Sequence, residues 1–143
     1  MKKKYFLVIF VLILTMFLVG CSGGGLVTPA TDEALIKSVI QEYYLAISGQ
    51  NWSKAKSYCI YGSDRYYATC QMEELANTFY LYCNIVTVNV VVNILDVSIN
   101  GNYSQAYCKI NYLISYCGNF ESNSGYAYYN LQKAGNSWKF DSP

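Results

Sequence analysis

The strongest constraint on this chain is a change of hydrophobic period near its middle. From Ile85 to Ile99 apolar residues alternate. Val86, Val88, Val90, Val92 and Ile94 fall on one side, and Thr87, Asn89, Val91 and Asn93 on the other. A period of two marks a half-buried β-strand, and β-branched side chains suit it. Asn100-Gly101-Asn102 is the strongest turn signal in the chain. A second long strand follows, about Tyr103 to Cys117, whose apolar set is Ala106, Cys108, Ile110, Tyr112, Ile114 and Tyr116. The two apolar sets fix the register. A two-residue Asn100-Gly101 loop would set Val92 beside Lys109, whereas a three-residue loop sets Val92 beside Ile110, Val90 beside Tyr112 and Val88 beside Ile114. A slip of one residue turns the whole face over. A three-residue loop is therefore expected, with Asn102 in the left-handed conformation that Asn tolerates. In that register Cys117 pairs with Ile85 and Cys83 is its diagonal neighbour. A Cys83–Cys117 disulfide would need a bulge to close that distance. Cys108 falls on the core face as a buried thiol.

Upstream the period is helical. Leu35, Ile36, Val39, Ile40, Tyr43 and Ile47 recur at steps of three and four, which predicts an amphipathic helix. Thr31 or Asp32 caps its start and Gly49 its end, and Lys37, Gln41 and Glu42 form the wet face. Asn51 caps a short second helix with Trp52, Ala55, Tyr58 and Cys59. Residues 61 to 70 read as a loop, and a third helix spans about Gln71 to Tyr80, with Met72, Leu75, Ala76 and Phe79 inward. After the long strands, residues 118 to 124 read as a polar loop. Gly125 to Gln132 is a third strand, and Gly135-Asn136 turns into a last strand, Ser137 to Phe140.

The first segment has a different character. Lys2-Lys3-Lys4 precede an apolar run from Tyr5 to Val19. That run is shorter than the roughly 20 residues a spanning helix needs, and its layout is that of a secretory signal. Leu18-Val19-Gly20-Cys21 resembles the lipobox of prokaryotic lipoproteins. The resemblance implies cleavage after Gly20 and a diacylglycerol on the Cys21 thiol. The protein would then sit on the extracytoplasmic face of the cell membrane, or face the periplasm. Two acyl chains on one residue suffice for stable anchoring. Ser22-Gly23-Gly24-Gly25 suits a flexible tether. The expected organisation is a signal at 1–20, a lipid-attached tether at 21–30 and one domain at 31–143.

Composition removes several function classes. Without residues 1–20 the chain has seven basic and nine acidic residues, so nucleic-acid binding has no electrostatic footprint. There is no His and no C-x-x-C, which removes the usual zinc and thioredoxin spacings and leaves no metal or cofactor motif. Setting Cys21 aside leaves Cys59, Cys70, Cys83, Cys108 and Cys117. That is an odd set, so at least one thiol stays free.

Helices followed by an antiparallel meander make an α+β layout. Val39-Ile40-Gln41-Glu42-Tyr43-Tyr44 leading to Asn51-Trp52-Ser53-Lys54-Ala55, and the final Gly135-Asn136-Ser137-Trp138-Lys139, resemble the nuclear transport factor 2-like superfamily. That group includes ketosteroid isomerase-like and polyketide cyclase-like proteins. The resemblance implies three N-terminal helices packed in a curved sheet of about four strands, a pocket at the mouth of this cone, and dimers paired through the sheet in many members. Pocket candidates are Tyr43, Val90, Val92 and Tyr112. Family enzymes place an Asp or His base in the cone. Here Asp96 is in phase with Val92 and Ile94 and could face inward with Tyr112 or Tyr43 as donor, or it could be wet near the strand end. Without a recognisable catalytic set, the expectation is a non-enzymatic, membrane-tethered binding or accessory domain for a small apolar molecule or a protein partner. An isomerase- or cyclase-like enzyme using an inward carboxylate is the alternative.

Overall fold

The computed structural model describes residues 30–83 and 86–142. The readings placed on the signal, on Cys21, on nearly all of the tether and on Ile85 lie outside the described residues. Among the described residues three helices, α1 (Asp32–Ser48), α2 (Trp52–Ser57) and α3 (Asp64–Cys83), precede four strands, β1 (Val86–Asn100), β2 (Tyr103–Tyr116), β3 (Asn119–Ala134) and β4 (Ser137–Ser142). The strands form one antiparallel meander in the order β1-β2-β3-β4.

α1 forms where the helical period placed it. Thr31 caps it by accepting from the Ala34 amide at 3.2 Å. Its buried stripe is Ile36, Ile40, Tyr43, Tyr44 and Ile47, and it lies across β1 and β4. Gly49 takes the C-cap position with a right-handed φ, and the left-handed residue is Gln50 (φ 52°). The end of α1 also seals the free edge of β1. Ser48 Oγ accepts from the Val90 amide at 2.8 Å, and Gln50 Nε2 donates to the Val86 carbonyl at 2.7 Å. An open strand edge invites unwanted pairing, and side-chain bonds of this kind close it. The start of α1 is tied to the last hairpin, because Lys133 Nζ and Trp138 Nε1 both donate to Asp32 at 2.8 and 3.0 Å. Trp138 and Phe140 from β4 fill the centre of the core with Tyr43 and Leu131.

Three expectations are corrected. The third helix begins at Asp64, so most of the expected loop at 61–70 is helical. Ser63 caps it by accepting from the Tyr66 amide at 3.2 Å, and Asp64 complements the helix dipole. The polar segment 118–124 is strand for nearly its whole length. Cys117 (φ 49°) and Gly118 (φ 77°) make a two-residue turn, and β3 pairs with β2 from Asn119 onward. Two consecutive left-handed residues are the requirement of the tightest hairpin turn. The first hairpin also turns in two residues, Gly101 (φ 61°) and Asn102, with Asn100 opposite Tyr103; Gly101, and not Asn102 as expected, takes the left-handed conformation.

The expected facing of β1 and β2 nevertheless holds from Val86 to Ile94. Val88 lies opposite Ile114, Val90 opposite Tyr112, Val92 opposite Ile110 and Ile94 opposite Cys108. The extra residue is supplied by a bulge at Leu95 rather than by a longer loop. Beyond that bulge the phase reverses, so Val97 turns inward and Asp96 is exposed.

Cys83 and Cys117 are joined by a disulfide, with Cα atoms 4.7 Å apart. No bulge is needed. Cys83 ends α3 rather than lying on a strand, and Cys117 sits in the turn, so the bond clips the helix end to the β2–β3 hairpin. Cys59, Cys70 and Cys108 are free; Cys59 and Cys108 are buried. Burial pushes the Cys108 thiol up to about 11.

Candidate functional site

Helices α1 and α3 and the inner faces of β1, β2 and β3 enclose an open cavity of about 310 Å³ at the mouth of the cone. Its walls are mainly apolar: Ile47 from α1, Met72 from α3, Val88 and Val90 from β1, Ile110 and Ile114 from β2. A second apolar cavity of about 90 Å³ adjoins it beneath α3. It shares Ile47, Met72, Val88 and Ile114, and extends to Trp52, Ala76 and Phe79. Sites for small molecules are commonly concave and apolar, with a few polar groups that fix orientation.

Arg65, Tyr44 and Tyr129 form the polar group at one end, and Tyr112 and Glu121 also line the cavity. Arg65 is the sole arginine of the chain and stands in the first turn of α3. Its Nη2 donates to the Tyr44 hydroxyl at 2.7 Å. The Tyr44 and Tyr129 hydroxyls are hydrogen-bonded to each other. The guanidinium carbon lies 4.5 Å from the Tyr129 ring centroid, 5.2 Å from Tyr43, 5.6 Å from Phe140 and 5.9 Å from Tyr44. Cation–π attraction is significant at these distances. Lys37, Lys54, Lys56 and Lys133 each meet a carboxylate. Arg65 forms no ion pair among the described residues, and its buried Nε has no hydrogen-bond partner. Burial holds the Tyr44 phenol well above its usual range against the pull of Arg65, so Tyr44 stays neutral and Arg65 keeps its charge uncompensated.

One turn along, Thr69 is fully buried. Its hydroxyl donates to the Arg65 carbonyl at 2.8 Å and lies 2.9 Å from the Tyr43 hydroxyl. With its own proton committed, Thr69 accepts from Tyr43. This pair fixes the first turn of α3 and with it the guanidinium.

The residues singled out from the sequence are only partly brought together. Val90 and Tyr112 line the cavity. Val92 packs against the core further along β1. Tyr43 is a core residue with no exposed surface, and its hydroxyl is engaged by Thr69. Asp96 and Tyr112 are not neighbours. Asp96 lies opposite Tyr107, past the bulge and exposed, whereas Tyr112 lies opposite Val90. The carboxylate that does line the cavity is Glu121, at the exposed rim, where it accepts from the Tyr116 hydroxyl. Sequence reasoning missed it by reading 118–124 as a loop. Arg65 and Tyr44 were missed as site residues as well. The available signal was a helical face at Arg65, Thr69, Met72 and Ala76, obscured because its first two members are polar.

No family model matches the chain, and no curated protein is similar to it at a significant level. Solved structures are similar. A candidate dehydratase from the nuclear transport factor 2-like family of Streptomyces avermitilis superposes with a TM-score of 0.61 at 14% identity, over 80% of this chain and 95% of that one. A ketosteroid isomerase-like protein from Erwinia carotovora atroseptica gives 0.57 at 13% identity, over 79% and 94%. A conserved protein from Planctomyces limnophilus gives 0.62 at 12% identity, over 78% and 91%. The fold is the nuclear transport factor 2-like cone. In this cone the mouth cavity lies between the helical layer and the sheet, with the linked Arg65, Tyr44 and Tyr129 at one polar end.

Proposed function

We propose that this chain is a membrane-tethered binding domain that holds one small apolar molecule in the mouth of the cone. The observation that carries the reading is the cavity itself. It is open, it is walled mainly by apolar side chains from both layers, and it shares four of them with an apolar slot beneath α3. The tether part of the proposal rests on Leu18-Val19-Gly20-Cys21, with a diacylglycerol on Cys21 holding the domain on the extracytoplasmic side.

The two parts are tested separately. Titration with the neutral fluorophore N-phenyl-1-naphthylamine is expected to show saturable one-to-one binding that Ile110→Trp abolishes. Binding that never saturates would sink the cavity reading. Cys21→Ser is expected to release the protein from membranes in a fractionation assay, and membrane retention of that variant would sink the tether.

A second reading, an isomerase- or cyclase-like enzyme, draws on one observation: Glu121 brings a carboxylate to the cavity rim with Tyr116 beside it. A general base must lie within hydrogen-bond reach of the proton it takes. Under that reading Glu121, not Asp96, is the base, and Glu121→Gln abolishes turnover.

A further inference from the structure

We infer that the ligand of this cavity is an amphiphilic carboxylate, with its acid group held by Arg65 and Tyr44 and its apolar body lying along the β1–β2 wall toward the slot beneath α3. This deepens the reading of the cone as a binding cavity and rests on it.

The argument begins with charge. A guanidinium removed from water is costly unless it is paired and hydrogen-bonded. Arg65 has four aromatic rings around it, hydrogen bonds to the phenols of Tyr44 and Tyr129, and no ion-pair carboxylate among the described residues. Its Nε is buried and without a partner. Phenols and ring faces offset part of the cost and leave the full positive charge beside the cavity. Nothing in the core needs an arginine there, because Tyr43 and Thr69 satisfy each other and the Arg65 carbonyl without using the guanidinium. A guanidinium presents a fork of donors matched to a carboxylate. An incoming anion would pair with the guanidinium where it lines the cavity, supplying the opposite charge that the described residues do not.

The second constraint is shape. The cavities of about 310 and 90 Å³ share four aliphatic or thioether side chains. Their shared walls are apolar from the cavity beside the guanidinium to the slot at Phe79 and Trp52. A small inorganic anion would leave that apolar space empty, and a neutral hydrocarbon would leave the charge unmatched. A single acid group on an apolar body satisfies both. Glu121 stands at the exposed rim and is engaged by Tyr116, so the field at the Arg65 end is the positive one. Its position disfavours a second acid group at the other end of the ligand.

The test compares head groups on one tail. Decanoate and decan-1-ol are titrated into the full chain by competition with N-phenyl-1-naphthylamine. Decanoate is expected to bind about tenfold or more tightly than decan-1-ol, the scale of one charge-assisted bond pair. Arg65→Met is expected to remove that preference while the alcohol still binds, and Arg65→Lys to keep part of it. Because Arg65 is the sole arginine, its Nε–H gives a single side-chain resonance in the unaltered protein. Decanoate should shift that resonance and decan-1-ol should leave it in place, a result independent of whether any variant folds. Equal affinities, or a preference that survives Arg65→Met, would overturn the assignment of the acid group to Arg65. Failure of both compounds and of the neutral fluorophore would instead overturn the cavity reading beneath it.

Discussion

At the scale of single residues, two charged groups carry opposite lessons. Asp32 is matched. Lys133 and Trp138 donate to it and hold its carboxyl below the ordinary 3.8, the Lys133 bond contributing most. A carboxyl lowered in the folded state stabilises the fold above its unfolded pKa, and that contribution is lost as pH falls through the lower folded value. Asp32→Asn is therefore expected to melt below the unaltered protein at pH 7, with the gap closing below about pH 3.8; thermal melts at the two pH values check this. Arg65 is unmatched, and that mismatch is what marks it as a site residue. Neither role was legible from the sequence. Asp32 showed as a cap candidate, but its bonds come from residues a hundred positions away. Arg65 sat in a stretch, Asp64 to Cys70, whose buried face is polar and so gave no helical stripe.

At the scale of elements, periodicity was informative where side chains set the structure and silent where the backbone did. α1 and the inward faces of β1 and β2 follow from apolar spacing, because hydrophobic burial dictated them. The bulge at Leu95 did not, since an extra strand residue needs no particular side chain, and it turned Asp96 outward. The first half of β3 is exposed throughout and polar apart from Phe120, Gly125 and the ring of Tyr126. It is strand because its backbone pairs with β2, with the two-residue turn at Cys117-Gly118 setting the register. The same turn carries the disulfide to the end of α3, across a sequence separation of 34. Closing a loop of that size by a covalent bond stabilises the fold by about 2–4 kcal/mol. Cys83→Ser with Cys117→Ser is expected to lower stability by about that amount, measured by urea unfolding. It should also raise hydrogen exchange first at the C-terminal turns of α3. Loss of stability without local loosening would place the effect elsewhere.

At the scale of the whole molecule, the cone joins two features: an apolar mouth and a charged polar corner at the start of α3. The general architecture was legible from the order of elements and from the resemblance carried by the first helix and the Gly135-Asn136-Ser137-Trp138 turn. The composition of the cavity was not, because it depends on which residues from α1, α3 and three strands converge. The most direct measurement is methyl NMR of the full chain during titration with N-phenyl-1-naphthylamine. Shifts are expected at the inward methyls of Ile47, Met72, Val88, Val90, Ile110 and Ile114, with the exposed Val91, Leu95 and Leu113 unmoved. Shifts confined to that exposed set, or none at all, would contradict a ligand held in the cone.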